Sequence, residues 1–234
     1  MVNIRWGMVL CFVVSSLSFI YPACATTIKL TGTATNITLN ISDPDAGYTN
    51  LNAIIDPYTG TLNGSSILLW CVDPDHESNI GDSWSAYVTQ LGAGSLSDTY
   101  LKDPTAYGEM AWLTMQLQGT NVTSTRQELQ AAIWDIAEGA TAGAPTATGD
   151  FKITPPKGDA NFAANVSMDI TNASHHVQNS GFEILTDTSG REQEFLVITP
   201  EPSTFVLFGA GLIALALFTN RRIISSISCF RLGQ

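Results

Sequence analysis

The sequence predicts a mixed, β-rich α+β fold: a β-sandwich or barrel with two or three inserted helices, preceded by a signal peptide and followed by a transmembrane helix. Three observations carry this expectation. Thr-rich and β-branched runs alternate with turn clusters in the first part of the chain. Helical spacing is confined to a middle section. Both ends are apolar stretches with arginine beside them.

Taken in order, Ile28 to Ile41 reads as one long or two short strands, because β-branched residues suit a pleated surface. Asp43-Pro44-Asp45-Ala46-Gly47 turns the chain. Leu51 to Tyr58 and Ser66 to Val72 are the next strands, joined by Thr59-Gly60-Thr61-Leu62-Asn63-Gly64 as a turn-rich connection. Trp84 to Thr89 is a further strand. Tyr107, Ala111, Trp112 and Met115 recur at helical spacing, and Gly119 stops that helix. A second helix opens at Thr123 to Thr125, with Thr125 and Glu128 spaced as a capping box, and carries Leu129, Ala132, Ile133 and Ile136 on one face before ending near Gly139. Ala140 to Pro156 reads as a loop and Asn161 to Thr171 as a third short helix. Phe182 to Leu185 and Glu194 to Ile198 close the domain as strands.

Charge bounds the function. The 234 residues carry 10 Lys+Arg against 21 Asp+Glu, a formal charge of -11, which excludes the basic surface that nucleic-acid binding needs. Only 13% of residues are charged while 44% are hydrophobic, so the apolar content belongs in a core or a membrane. Every acid lies between Asp43 and Glu201, whereas Arg5, Arg221, Arg222 and Arg231 sit in the terminal segments.

At the N-terminus Arg5 precedes an apolar run from Trp6 to Ile20 and the small-residue triplet Ala23-Cys24-Ala25. That order describes a secretory signal peptide over residues 1–25, with Ala23 and Ala25 flanking the cleavage position. At the other end Phe205 to Phe218 is entirely apolar or Gly, enough for a single span over about residues 203–220. Arg221 and Arg222 follow, so the positive-inside rule leaves residues 223–234 in the cytoplasm and the preceding domain, 26–199, outside.

Pro200-Glu201-Pro202, the apolar span and Arg221-Arg222 occur in the order of the PEP-CTERM sorting signal of Gram-negative bacteria, which residues 200–222 closely resemble. The chain departs from that pattern by running on to Gln234. The resemblance implies an exosortase partner that cuts near the Pro-Glu-Pro, transient membrane anchorage after export across the inner membrane, and a final place on the cell surface or in an exopolysaccharide or biofilm matrix.

Cys11 and Cys24 leave with the signal peptide and Cys229 lies beyond the span, so Cys71 is solitary in the exported domain. In an oxidising compartment such a residue is a buried inert thiol, an intermolecular bridge, or chemically committed in another way. Trp70-Cys71-Val72-Asp73 together with Gln130-Ala131-Ala132-Ile133-Trp134 resembles the paired signatures of the thioester domains of Gram-positive surface proteins, an aromatic or Leu before Cys-x-Asp/Glu and then Thr-Gln-x-Ala-Ile-Trp. The resemblance implies Cys71 as nucleophile, Gln130 as acyl partner, Trp70, Asp73, Ala132, Ile133 and Trp134 as supporting positions, and covalent adhesion to an amine-bearing ligand. Leu129 stands where that pattern has Thr. No cofactor, metal ion or enzymatic turnover is expected.

Two other readings stay open beside it. One is a non-reactive structural protein with Cys71 as a small core residue, because Ala132-Ile133-Trp134 also reads as the core face of a helix. The other is an exported cysteine hydrolase pairing Cys71 with His175 or His176, for which the sequence has no nucleophile-elbow motif. Asp73, Asp75, His76 and Glu77 crowd one segment without regular ligand spacing and read as a solvated acidic turn.

Overall fold

The computed structural model describes residues 26–55, 57–92, 95–147, 149–199 and 209–213. The expected signal peptide, Pro200-Glu201-Pro202, Arg221-Arg222 and most of the expected transmembrane segment lie outside them. Residues 209–213 are helical, and among the described residues no helix is long and apolar enough to cross a membrane.

The strands are β1 (Thr26–Thr33), β2 (Thr38–Asp43), β3 (Tyr48–Ile54), β4 (Tyr58–Leu62), β5 (Ser65–Cys71), β6 (Ser83–Gln90), β7 (Lys152–Thr154), β8 (Phe182–Asp187) and β9 (Phe195–Ile198). The helices α1 (Pro104–Gly119), α2 (Thr123–Ala137) and α3 (Phe162–Ser174) are inserted between β6 and β8. Six strands close a barrel in the order β1-β4-β5-β9-β8-β6, and β3-β2-β7 form a separate three-stranded sheet. Closure leaves the barrel without an exposed edge.

One long hairpin generates both sheets. Its inner half pairs β1 with β4 in the barrel and its outer half pairs β2 with β3 in the small sheet, all antiparallel. Between the halves the ladder is bridged by Ala34 N–H to the Pro57 carbonyl at 3.0 Å and by Ile55 N–H to the Ile37 carbonyl at 3.1 Å. The sequence reading ran a strand through this break, from Leu51 to Tyr58, and made Thr59 to Gly64 a turn. In the fold Tyr58–Leu62 is a strand, and only Asn63 and Gly64 turn, with φ of 50° and 84°. Asn-Gly with both φ positive is the hairpin turn that matches strand twist. Pro57 supplies no N–H, which suits the break rather than a strand interior.

Two further expectations are corrected. Thr125 is inside α2 rather than capping it: the helix begins at Thr123 with Val122 at the N-cap and no side-chain cap, while Glu128 accepts a hydrogen bond from Asn165 of α3 at 2.7 Å. The loop expected from Ala140 to Pro156 contains β7, which pairs with β2.

Inside the barrel, alternation buries Ile28 and Leu30 of β1 and Trp84 and Ala86 of β6. Phe195 sits between Tyr58, edge-on at 5.6 Å, and Trp84 at 6.1 Å. Helix α2 packs on α1, α3 and β2, and Gln127 Nε2 donates to the Thr38 carbonyl at 2.9 Å. Its second half is buried nearly all round, with Leu129 through Trp134 all buried, because three neighbours cover it.

The turns permit a graded test. At Gly92, φ is +84° and an added Cβ would lie 1.8 Å from the Asn179 carbonyl oxygen, whereas at Gly64 it would meet open space. Gly64→Ala should cost about 1 kcal/mol from φ alone, and Gly92→Ala more than about 2 kcal/mol because backbone must also move. Urea denaturation of the two variants checks this ordering.

Candidate functional site

Cys71 is the last residue of β5, held opposite Phe195 of β9. Gln130 lies on α2, 59 residues away, and its Nε2 donates to the Cys71 carbonyl at 2.9 Å. Both side chains are buried, at 3% and 1% exposure, so the helix presents an amide to the end of the strand in a dry setting. Trp70, Ala132, Ile133 and Trp134 are buried around the pair, Ala132 and Ile133 with no exposed surface.

Cys71 is a free thiol and the one cysteine among the described residues. Its thiol donates to the Asp73 carbonyl at 3.2 Å. Burial pushes the Cys71 pKa up to about 12, and the Asp73 carboxylate adds to the shift; the backbone hydrogen bond at Asp73 and the Trp134 indole oppose it. Trp134 Nε1 makes no full hydrogen bond, yet its N–H lies near enough to the sulfur to favour the thiolate over the thiol. A thiol with so high a pKa is a weak nucleophile on its own.

Asp73 organises the strand end. Its carboxylate accepts the Asp75 N–H at 3.0 Å, the Glu194 N–H at 3.1 Å and His76 Nδ1 at 2.8 Å. Its carbonyl accepts the Cys71 thiol and, at 3.5 Å, Gln193 Nε2. His76 is thereby joined to Cys71 through Asp73, and its pKa is raised, first by the Asp73 hydrogen bond. His175 and His176 follow the end of α3, where His176 stacks on Trp112 at 5.0 Å; the hydrolase pairing has no support in this arrangement.

Behind the strand end, Glu194 is buried and accepts hydrogen bonds from the hydroxyls of Tyr107 and Thr186 and from the Tyr100 N–H at 3.1 Å. Burial raises its pKa against those donors. Asp43, Asp75 and Glu138 bring three carboxylates within 4.8 Å of one another. Burial and then the Asp75 and Asp43 charges push Glu138 up to about 8, so it keeps a proton at neutral pH and shares it with Asp75. Of the polar residues around the strand end the sequence singled out Asp73, Asp75 and His76; Gln193, Glu194 and Glu138 come from other segments and carry no local motif.

Residues 199–222 match the PEP-CTERM protein-sorting motif, and the chain carries that motif. No curated protein sequence matches the chain. Among solved structures it is similar to the N-terminal thioester domain of a surface protein from Clostridium perfringens, at 9% identity and a TM-score of 0.36, over 76% of this chain and 99% of that one.

The carboxylate cluster makes a signed prediction. A carboxyl with a raised folded-state pKa binds its proton more tightly when folded, so its stabilisation is full below the ordinary value near 4.5 and is lost as pH rises through about 8. Asp135, pushed up to about 7 by burial, acts in the same sense. The melting temperature should therefore fall between pH 5 and pH 8, and Glu138→Gln, which keeps a donor toward Asp75, should flatten part of that fall in a calorimetric series.

Proposed function

We infer from the sorting motif that this chain is exported and processed at the membrane by an exosortase. Beyond that, we propose that its domain is an adhesin in which Cys71 and Gln130 close an internal thioester that captures an amine on a target surface or matrix. The observation that carries the reading is the Gln130 amide, bonded at 2.9 Å to the backbone of Cys71 and buried with it. An unstrained amide resists thiols; confinement in near-attack geometry is what makes acyl transfer accessible.

In the closing step the sulfur attacks Gln130 Cδ, the C–N bond breaks, and the thiol proton leaves with the nitrogen as ammonia. The Trp134 N–H assists by stabilising charge on sulfur. An amine then attacks the same carbon, the C–S bond breaks, and an amide to the ligand remains at Gln130 with a thiol at Cys71. Burial protects the stored acyl group from water until a ligand arrives.

Intact mass tests the chemistry. Wild-type domain should be lighter than its sequence by one ammonia and should gain methylamine, freeing one thiol. Cys71→Ala and Gln130→Ala should show the full uncondensed mass, no adduct, and a stability loss of only about 1–3 kcal/mol. Wild-type domain with full mass and a thiol that alkylates before amine treatment would leave a sorted structural protein with Cys71 as a core residue.

Sorting is tested separately. Exported material from cells holding an exosortase should lack residues after about Pro202, and terminal peptide mapping that recovered Ser203 to Gln234 would contradict this.

A further inference from the structure

A cleft of about 340 Å³ opens beside the strand end. Trp134, Gln193, His76, Glu77, Ile41 and Leu51 form part of its lining. One buried polar atom there lacks a partner: Gln193 Oε1, on a residue 8% exposed. Gln193 and Cys71 share the Asp73 carbonyl as acceptor, so the unpartnered Gln193 oxygen belongs to an amide anchored next to the sulfur. A buried acceptor without a donor is costly and calls for a ligand that supplies one.

We propose that this cleft is the acceptor site of the domain and takes a primary alkylamine of lysine type, with Gln193 Oε1 receiving an N–H of the amine and His76 taking its proton. The inference rests on the thioester reading and assigns the residues that select and activate the amine. The apolar side chains suit a methylene stem, and the acidic neighbours Asp73, Asp75 and Glu77 attract a cation to the opening. His76 donates Nδ1–H to Asp73, which leaves Nε2 as the basic nitrogen of the neutral ring. Its other surroundings are Asp187 at the end of β8 and the Tyr100 ring, 4.8 Å away.

The proton count closes. The lysine ammonium first loses one proton to solvent. As nitrogen attacks Gln130 Cδ, a second passes to His76 Nε2; the C–S bond breaks, and His76 returns a proton to the sulfur, which ends as the Cys71 thiol. Return of that proton matters because a thiolate in this buried position is a poor leaving group.

The experiment uses the exported domain with Nα-acetyl-lysine as probe, read by intact mass over time across pH 5 to 9. Wild type should close, and its capture rate, corrected for free amine, should rise through an imidazole titration above the ordinary value of 6.5. Gln193→Leu and Gln193→Met should still lose ammonia, which certifies folding, but capture lysine at least about tenfold more slowly. Gln193→Glu, which keeps an acceptor oxygen, should recover most of the rate. His76→Asn should close and lose the pH inflection. Closed variants that capture lysine at the wild-type rate with the wild-type pH profile would overturn the acceptor site and leave the thioester standing. A wild-type domain that never loses ammonia would overturn both.

Discussion

The hydrogen bond from Gln130 Nε2 to the Cys71 carbonyl joins the two layers of this protein at one point. The barrel is closed, so its strands offer the helices no free edge. The insertion joins the small sheet through β7, and α2 docks through side chains. Along α2 that docking runs from Gln127 on the Thr38 carbonyl to Gln130 on Cys71, two polar contacts set among apolar ones. A buried amide in such a place is either satisfied or a liability, and the bond from Gln130 Nε2 to the Cys71 carbonyl removes the liability on its donor side.

The electrostatics of the domain follow from the same crowding. Every acid of the chain falls between residues 43 and 201, and few cations are available to pair with them. The acids that fold inward are managed by donors and by protons: Glu194 by two hydroxyls and a backbone N–H, Glu138 by retention of its proton beside Asp75, and Asp73 by two backbone N–H groups and a histidine. Asp187 is the contrasting case, held below the ordinary carboxylate range by the Ser189 side chain and by backbone donors that outweigh its own desolvation.

Much of this was readable along the chain. The helices, β5, β6 and the two closing strands fell where periodicity and composition placed them, because each is a run whose local preference agrees with its packing. The Cys71 and Gln130 segments could be paired from their flanking residues. The break between β3 and β4 was missed because Thr59 and Thr61 look like turn residues beside Gly60 but alternate correctly for a strand, and the Asn63-Gly64 turn was absorbed into the same stretch. Capping chemistry at Thr125 was overridden by tertiary contact, with Glu128 committed to Asn165 instead. Gln193 was invisible for a deeper reason: nothing in Arg191-Glu192-Gln193-Glu194 marks it, and its place beside Cys71 is created only when β9 pairs with β5.

That pairing also determines where the domain stops. β9 ends at Ile198, Thr199 donates its N–H to the Gly181 carbonyl at 2.9 Å, and the sorting motif begins at residue 199. No linker separates barrel wall from signal. Barrel and signal therefore share Thr199, whose N–H is committed to the Gly181 carbonyl, so drawing the start of the motif away from the domain costs that hydrogen bond.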